Sequence, residues 1–65
     1  MQIYVNGQAR ETEARTLAEL CAALGFSDAR IATALNGDFV PEGLRAGTAL
    51  ANDDHVEIVT PRQGG

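Results

Sequence analysis

The chain has 65 residues, of which five are arginine, none is lysine and nine are acidic, so its formal charge is −4. This length allows one domain, and a domain this small buries only about 60% of the surface that its unfolded chain exposes. Apolar residues make up 45% of the chain, too many for a disordered protein, but 11 of them are alanine. The thin core that this composition predicts argues against an enclosed substrate pocket, and so against a self-contained enzyme.

Charge and hydropathy exclude further classes of protein. A net negative charge repels phosphate backbones and anionic membranes, so neither nucleic acid nor a membrane is expected as a partner. No apolar run approaches the ~20 residues of a membrane-spanning helix, and residues 1–5 lack the basic start of a signal peptide. The one cysteine cannot form an internal disulfide, and no metal site is predicted. These features predict an acidic cytoplasmic protein.

Two Asn-Gly pairs predict two β-hairpins. Asn-Gly readily supplies the two positive φ angles that a type I′ turn requires. The candidate strands flank the pairs closely: residues 2–5 and 9–13 surround Asn6-Gly7, and residues 31–35 and 39–40 surround Asn36-Gly37.

One amphipathic helix is predicted between the hairpins. Thr16 and Glu19 have the spacing of a capping box, in which each side chain accepts a hydrogen bond from a backbone N–H that the helix leaves unpaired. Gly25 suits the left-handed residue that ends a helix. Because Cys21 lies on the apolar stripe of this helix, we interpret it as a core residue and not as a reactive thiol. The stripe follows helical spacing and consists of Leu17, Leu20, Cys21 and Leu24.

A fifth strand is predicted at residues 55–60, after a segment (42–50) that favours no more than a short helical turn. His55 follows two aspartates and is interpreted as a surface residue, because one histidine supplies too few ligands for a Cys/His metal site. The order hairpin, helix, hairpin, loop and strand predicts an α+β fold. In this fold one main helix crosses one face of a mixed sheet of about four to five strands.

The last residues, Thr-Pro-Arg-Gln-Gly-Gly, predict an extended tail. Pro61 has no N–H to donate to a sheet, so we expect a folded domain at residues 1–60 and a tail at residues 61–65. Gly64 and Gly65 carry no side chains, which would let the terminal carboxylate enter a narrow channel of another protein. A frayed, inert terminus is the alternative that the tail by itself leaves open.

The elements and two segments together resemble known proteins. A hairpin, a capped helix, a second hairpin and a Gly-Gly terminus resemble the ubiquitin-like β-grasp fold. The segments ALNGDFVP (34–41) and VEIVTPRQGG (56–65) resemble the ThiS family of sulfur carriers in thiamin thiazole biosynthesis. The turn at Asn52-Asp53-Asp54 departs from the Asp-Gly-Asp usual in that family, and aspartate tolerates the left-handed conformation better than most residues.

The resemblance implies a chemical role for the tail. An E1-like (ThiF-like) adenylating enzyme would use ATP and Mg²⁺ to convert the Gly65 carboxylate into an acyl-adenylate. A persulfide donor would then displace AMP to leave a thiocarboxylate, and a ThiG-like thiazole synthase would accept the sulfur. The protein would bind no cofactor itself and would be a cosubstrate, not an enzyme.

Further residues are candidates for contact with these partners. Arg62, Gln63 and Gly64 lie next to the reacting carbon in the tail. Tyr4 and Val59 lie opposite the inward residues of their strands, and they would form a small exposed apolar patch if those strands are neighbours. The acidic surface would attract a basic partner and speed the encounter.

Three alternative functions remain open at this point. The small subunit of molybdopterin synthase shares the fold, the Gly-Gly end and the thiocarboxylate, with a different apolar approach to its glycines. A ubiquitin-like modifier would be joined to lysines of other proteins, although the absence of lysine here excludes side-chain-linked chains of this protein. An interaction module would have the same fold and an idle tail.

Overall fold

The computed structural model describes residues 1–26 and 30–60, so the predicted tail at residues 61–65 lies outside the described residues. The described residues form five strands, one α-helix and one 3-10 helix, in the predicted order. The elements are β1 (Gln2–Val5), β2 (Gln8–Glu11), α1 (Leu17–Ala23), β3 (Ala32–Leu35), β4 (Asp38–Val40), η1 (Glu42–Gly47) and β5 (His55–Val59).

The strands form one mixed sheet in the order β2-β1-β5-β3-β4. The two hairpins lie on either side of β5, which pairs with β1 in parallel and with β3 antiparallel. Helix α1 covers one face of this sheet, and its buried residues join those of the strands in one core. The predicted fold class, a ubiquitin-like β-grasp with one main helix, is confirmed.

The strand ends differ slightly from the prediction. Strand β2 was expected at residues 9–13 but ends at Glu11, which pairs with Gln2, the first residue of β1. Beyond this pair, Thr12 exchanges two backbone hydrogen bonds of 2.9 Å with Met1, and its hydroxyl accepts a 3.0 Å hydrogen bond from the Ala14 N–H. Strand β5 ends at Val59, one residue before the predicted end.

Both Asn-Gly turns have the predicted conformation. The φ angles are +50° and +85° at Asn6 and Gly7, and +50° and +87° at Asn36 and Gly37. The departure from the family pattern before β5 is accommodated in the same way, because Asp53 itself takes a left-handed φ of +69°. All three turns therefore use residues that tolerate positive φ.

Helix α1 begins with a variant of the predicted capping box. The Thr16 hydroxyl accepts a hydrogen bond from the Glu19 N–H at 3.2 Å, as expected. The Glu19 carboxylate accepts from the N–H of Arg15 at 2.8 Å, one residue earlier than the N–H of the capping residue. The helix is followed by Gly25 at φ +90°, which confirms its predicted role.

A buried polar network attaches η1 to the sheet. The Thr33 side chain is only 2% exposed, and its hydroxyl donates a 2.8 Å hydrogen bond to the Val40 carbonyl. The same hydroxyl accepts from Nε of Arg45 at 3.1 Å, and Nη2 of Arg45 donates to the Ile31 carbonyl at 2.7 Å. Arg45 of η1 therefore supplies hydrogen-bond donors to two groups of the neighbouring segment, the hydroxyl of Thr33 in β3 and the carbonyl of Ile31 just before β3.

We predict that Gly37→Val destabilises the protein and that Gly43→Val does not. A Cβ at either position would meet no atom within 4 Å, but only Gly37 has a positive φ. The Gly37 change should lower the free energy of unfolding by about 1–2 kcal/mol through backbone strain alone. Urea unfolding of both variants measures this difference, and equal midpoints would contradict the assignment.

Candidate functional site

The candidate site consists of the tail and the part of the sheet that leads into it. Arg62, Gln63, Gly64 and Gly65 lie outside the described residues, so their predicted roles stay predictions. The described residue nearest to them in sequence is Thr60, which is exposed and follows β5 directly. Strand β5 is therefore the part of the fold that can position the tail.

The face of the sheet opposite α1, here called the outer face, carries exposed apolar side chains. Along β5 the buried Val56 and Ile58 alternate with the exposed His55, Glu57 and Val59. Neighbouring strands add residues to the same face, because cross-strand partners share a face. The apolar members, here called the outer-face patch, are Ala32, Ala34, Phe39 and Val59.

Phe39 is the largest member of the outer-face patch, and the sequence alone did not identify it. Phe39 is 69% exposed, whereas Val59 is 60% exposed. Phe39 pairs with Ala34, which in turn pairs with Glu57, so an acidic group adjoins the apolar surface. Because Phe39 and Val40 are adjacent apolar residues in a short strand, only the pairing reveals which of them is exposed.

Tyr4 and Val59 do not form a patch by themselves. Strands β1 and β5 are neighbours, as the prediction required, but Tyr4 pairs with His55, four residues before Val59. Four residues of a strand span about 13 Å. Tyr4 instead stacks on the imidazole of His55, with ring centroids 4.6 Å apart and planes 11° apart. Tyr4 and Val59 both lie on the outer face, but Tyr4 is beside the start of β5 and Val59 is at its end.

His55 and Cys21 have the structural settings that the sequence predicted. His55 is exposed at the start of β5. Cys21 is only 5% exposed in the core, and burial raises the pKa of its thiol, although the nearby Arg45 opposes the shift. A raised pKa keeps the thiol protonated and unreactive near neutral pH. This environment supports packing, not sulfur chemistry, as the role of Cys21.

The described residues contain few other features that point to chemistry. Within residues 1–26 and 30–60, no three His, Cys, Asp or Glu side chains are grouped so that they could hold a metal ion. Over the same ranges, no helix has the length and apolar character to cross a membrane. The arrangement offers a docking surface on the outer face and a strand that leads into a tail.

This combination defines a small ubiquitin-like β-grasp domain with an exposed outer face. The family model of the ThiS family matches residues 3–65. A crystal structure of the thiamine biosynthesis protein ThiS from Geobacter metallireducens is similar over 100% of both chains, with 28% identity and a TM-score of 0.82. No curated protein matches the sequence. The chain belongs to the ThiS family, whose members are small sulfur carrier proteins of thiamine biosynthesis.

We predict that Cys21→Ala leaves sulfur loading intact and costs stability. Removing one buried heavy atom should lower the free energy of unfolding by about 1 kcal/mol, whereas Leu20→Ala at a 1% exposed position should cost about 2–5 kcal/mol. Chemical unfolding measures the cost, and the rate at which the protein is loaded with sulfur measures function. A natively folded Cys21→Ala protein that accepts no sulfur would contradict the packing role.

Proposed function

We propose that this protein carries sulfur for the thiazole ring of thiamine on its C-terminal Gly65 carboxylate. The observation that supports this most is the reach of the family match, which runs from residue 3 to residue 65 and so includes the whole tail. A likeness to a ThiS protein over the full length of both chains supports it further.

The chemistry requires activation because a carboxylate is a poor electrophile. An E1-like, ThiF-like enzyme joins the Gly65 carboxylate to the α-phosphate of ATP with Mg²⁺, which releases pyrophosphate. The outer sulfur of a persulfide attacks the acyl-adenylate carbonyl and displaces AMP. A thiol then reduces the resulting acyl disulfide and frees the thiocarboxylate. This anionic sulfur is the nucleophile that a ThiG-like thiazole synthase accepts.

The outer-face patch is the part of the described structure that suits docking to these enzymes. It includes Val59, the last residue of β5, so a partner seated there is next to the start of the tail. Phe39 supplies apolar contact area, and Glu57 supplies a charge that attracts basic groups. We therefore expect the partner surface to be apolar at its centre and basic at its rim.

We predict that deletion of Gly65 abolishes adenylation although a carboxylate remains on Gly64. The tail becomes shorter by about 3.3 Å, and misplacing a reacting atom by ~1 Å can cost about 100-fold in rate. Gly64→Val should fail too, since a branched side chain would not fit a channel shaped for bare backbone. Arg62→Ala is the control and should slow only the association.

Pyrophosphate exchange with a cognate adenylating enzyme measures each tail variant at equal concentration. If the variant that lacks Gly65 were adenylated at the rate of the unaltered protein, the proposed role of the tail would be contradicted. Transfer of sulfur to a molybdopterin synthase large subunit, and not to a thiazole synthase, would reassign the product. High-mass conjugates with other proteins would indicate a modifier.

We predict that Phe39→Ser weakens docking and that Leu44→Ser does not. Both residues are exposed, at 69% and 60%, but Leu44 lies on η1, which packs beside α1 on the opposite side of the sheet from the outer-face patch. The Phe39 change should raise KM for the adenylating enzyme about tenfold with little change in kcat. Equal KM values for the two variants would show that the outer-face patch is not the docking surface.

A further inference from the structure

The side chain of Asn6 is hydrogen-bonded to both backbone polar groups of Ile58. The Ile58 N–H donates to Oδ1 of Asn6 at 2.9 Å, and Nδ2 of Asn6 donates to the Ile58 carbonyl at 3.1 Å. The backbone of Asn6 also pairs with β5, because its N–H donates to the Val56 carbonyl at 2.9 Å. Asn6, in the first turn, therefore makes three hydrogen bonds to two residues of β5, Val56 and Ile58.

The Asn6 carboxamide takes the place of a peptide group of β1. Strand β1 pairs with β5 only as far as Val5 and Val56, because the chain turns away at Asn6-Gly7. An amide side chain has the same acceptor and donor as a peptide unit, so it continues the parallel ladder by one step. Ile58 is only 7% exposed. Without the Asn6 carboxamide, its N–H and C=O would lose their protein partners on the side of β1.

The second Asn-Gly turn has the same backbone and a different target. Asn36 has the same φ of +50°, and its side chain also makes two hydrogen bonds. Its Oδ1 accepts from the His55 N–H at 2.9 Å, and its Nδ2 donates to the Asp54 carboxylate at 3.0 Å. Asn36 thus holds the beginning of β5, and Asn6 holds the end that leads into the tail.

We propose that Asn6 is a positioning residue for the reaction at the C-terminus: its side chain keeps the end of β5 in the sheet, so that the tail starts at a fixed point beside the outer-face patch. This inference rests on the proposed function, since it assigns the clamp a role in presenting the Gly65 carboxylate.

The length of the free segment explains why the clamp matters. With β5 intact, six residues follow Val59, the last strand residue. If Ile58 and Val59 separated from the sheet, the free segment would grow by about 7 Å, while Phe39, the largest member of the outer-face patch, would stay in place on β4. A docked partner would then meet a carboxylate whose position relative to the docking surface is no longer defined.

The test compares Asn6→Gly with Asn36→Gly. Glycine keeps the positive φ at both turns, and each change removes two side-chain hydrogen bonds, which are part-buried at Asn6 and exposed at Asn36. Urea unfolding of both variants therefore accompanies the comparison, so that a difference in overall stability is measured separately. Asn6→Asp is a second variant, which keeps an acceptor for the Ile58 N–H but places a carboxylate oxygen against the Ile58 carbonyl. Amide hydrogen exchange of the free proteins and steady-state adenylation are measured at a temperature where circular dichroism shows each variant folded.

The proposal predicts about tenfold faster exchange of the Ile58 amide in Asn6→Gly, together with a kcat for adenylation that is about tenfold lower at nearly constant KM. Asn36→Gly should keep kcat within about twofold of the unaltered protein, and Asn6→Asp should lower it as Asn6→Gly does. An unchanged kcat in Asn6→Gly, or an equal loss in Asn36→Gly, would overturn the positioning role alone. If the unaltered protein itself is not adenylated, the proposed function is wrong, and the positioning role is wrong with it.

Discussion

The parallel pairing of β1 with β5 is the interaction on which the rest of the structure depends. It joins the first strand of the chain to the last, in the middle of a sheet whose two hairpins would otherwise be separate. Ile3 and Val56, at 0% and 1% exposure, face the same core as Leu17 of α1. Because small domains have little apolar surface to bury, breaking this pairing would open the core and release the strand that carries the tail.

Strand β5 combines three tasks because its neighbours restrain it from both sides. Its inward residues complete the core. Its outward residues lie on the outer face, where Val59 belongs to the outer-face patch and His55 stacks on Tyr4. Its end leads directly to Thr60 and the tail sequence. A reaction at a terminal carboxylate needs no pocket in the protein that carries it. A rigid platform and a tail of defined length are sufficient, which fits a small core: the described residues bury ten apolar side chains, and Ala14 is the one alanine among them.

Local chemistry was predictable from the sequence, and long-range pairing was not. The Asn-Gly turns, the Thr16 cap, Gly25 and the buried Cys21 follow from rules that act within a few residues. The Asn6 clamp joins residues 52 positions apart, and the exposure of Phe39 depends on register. The strand pairing that creates these contacts is set by the whole core. Residues 61–65 lie outside the described structure, so the proposed role of the tail rests on its amino-acid sequence and on the family match.

The central claim is that sulfur is carried on Gly65, and intact-mass spectrometry tests it most directly. The protein is incubated with ATP, Mg²⁺, a cognate adenylating enzyme, a persulfide donor and a thiol reductant. The account predicts a mass increase equal to the replacement of one oxygen by one sulfur, with the change confined to the C-terminal peptide after digestion. An unchanged mass under conditions in which the enzyme is active on a known carrier, or sulfur found on Cys21, would contradict it.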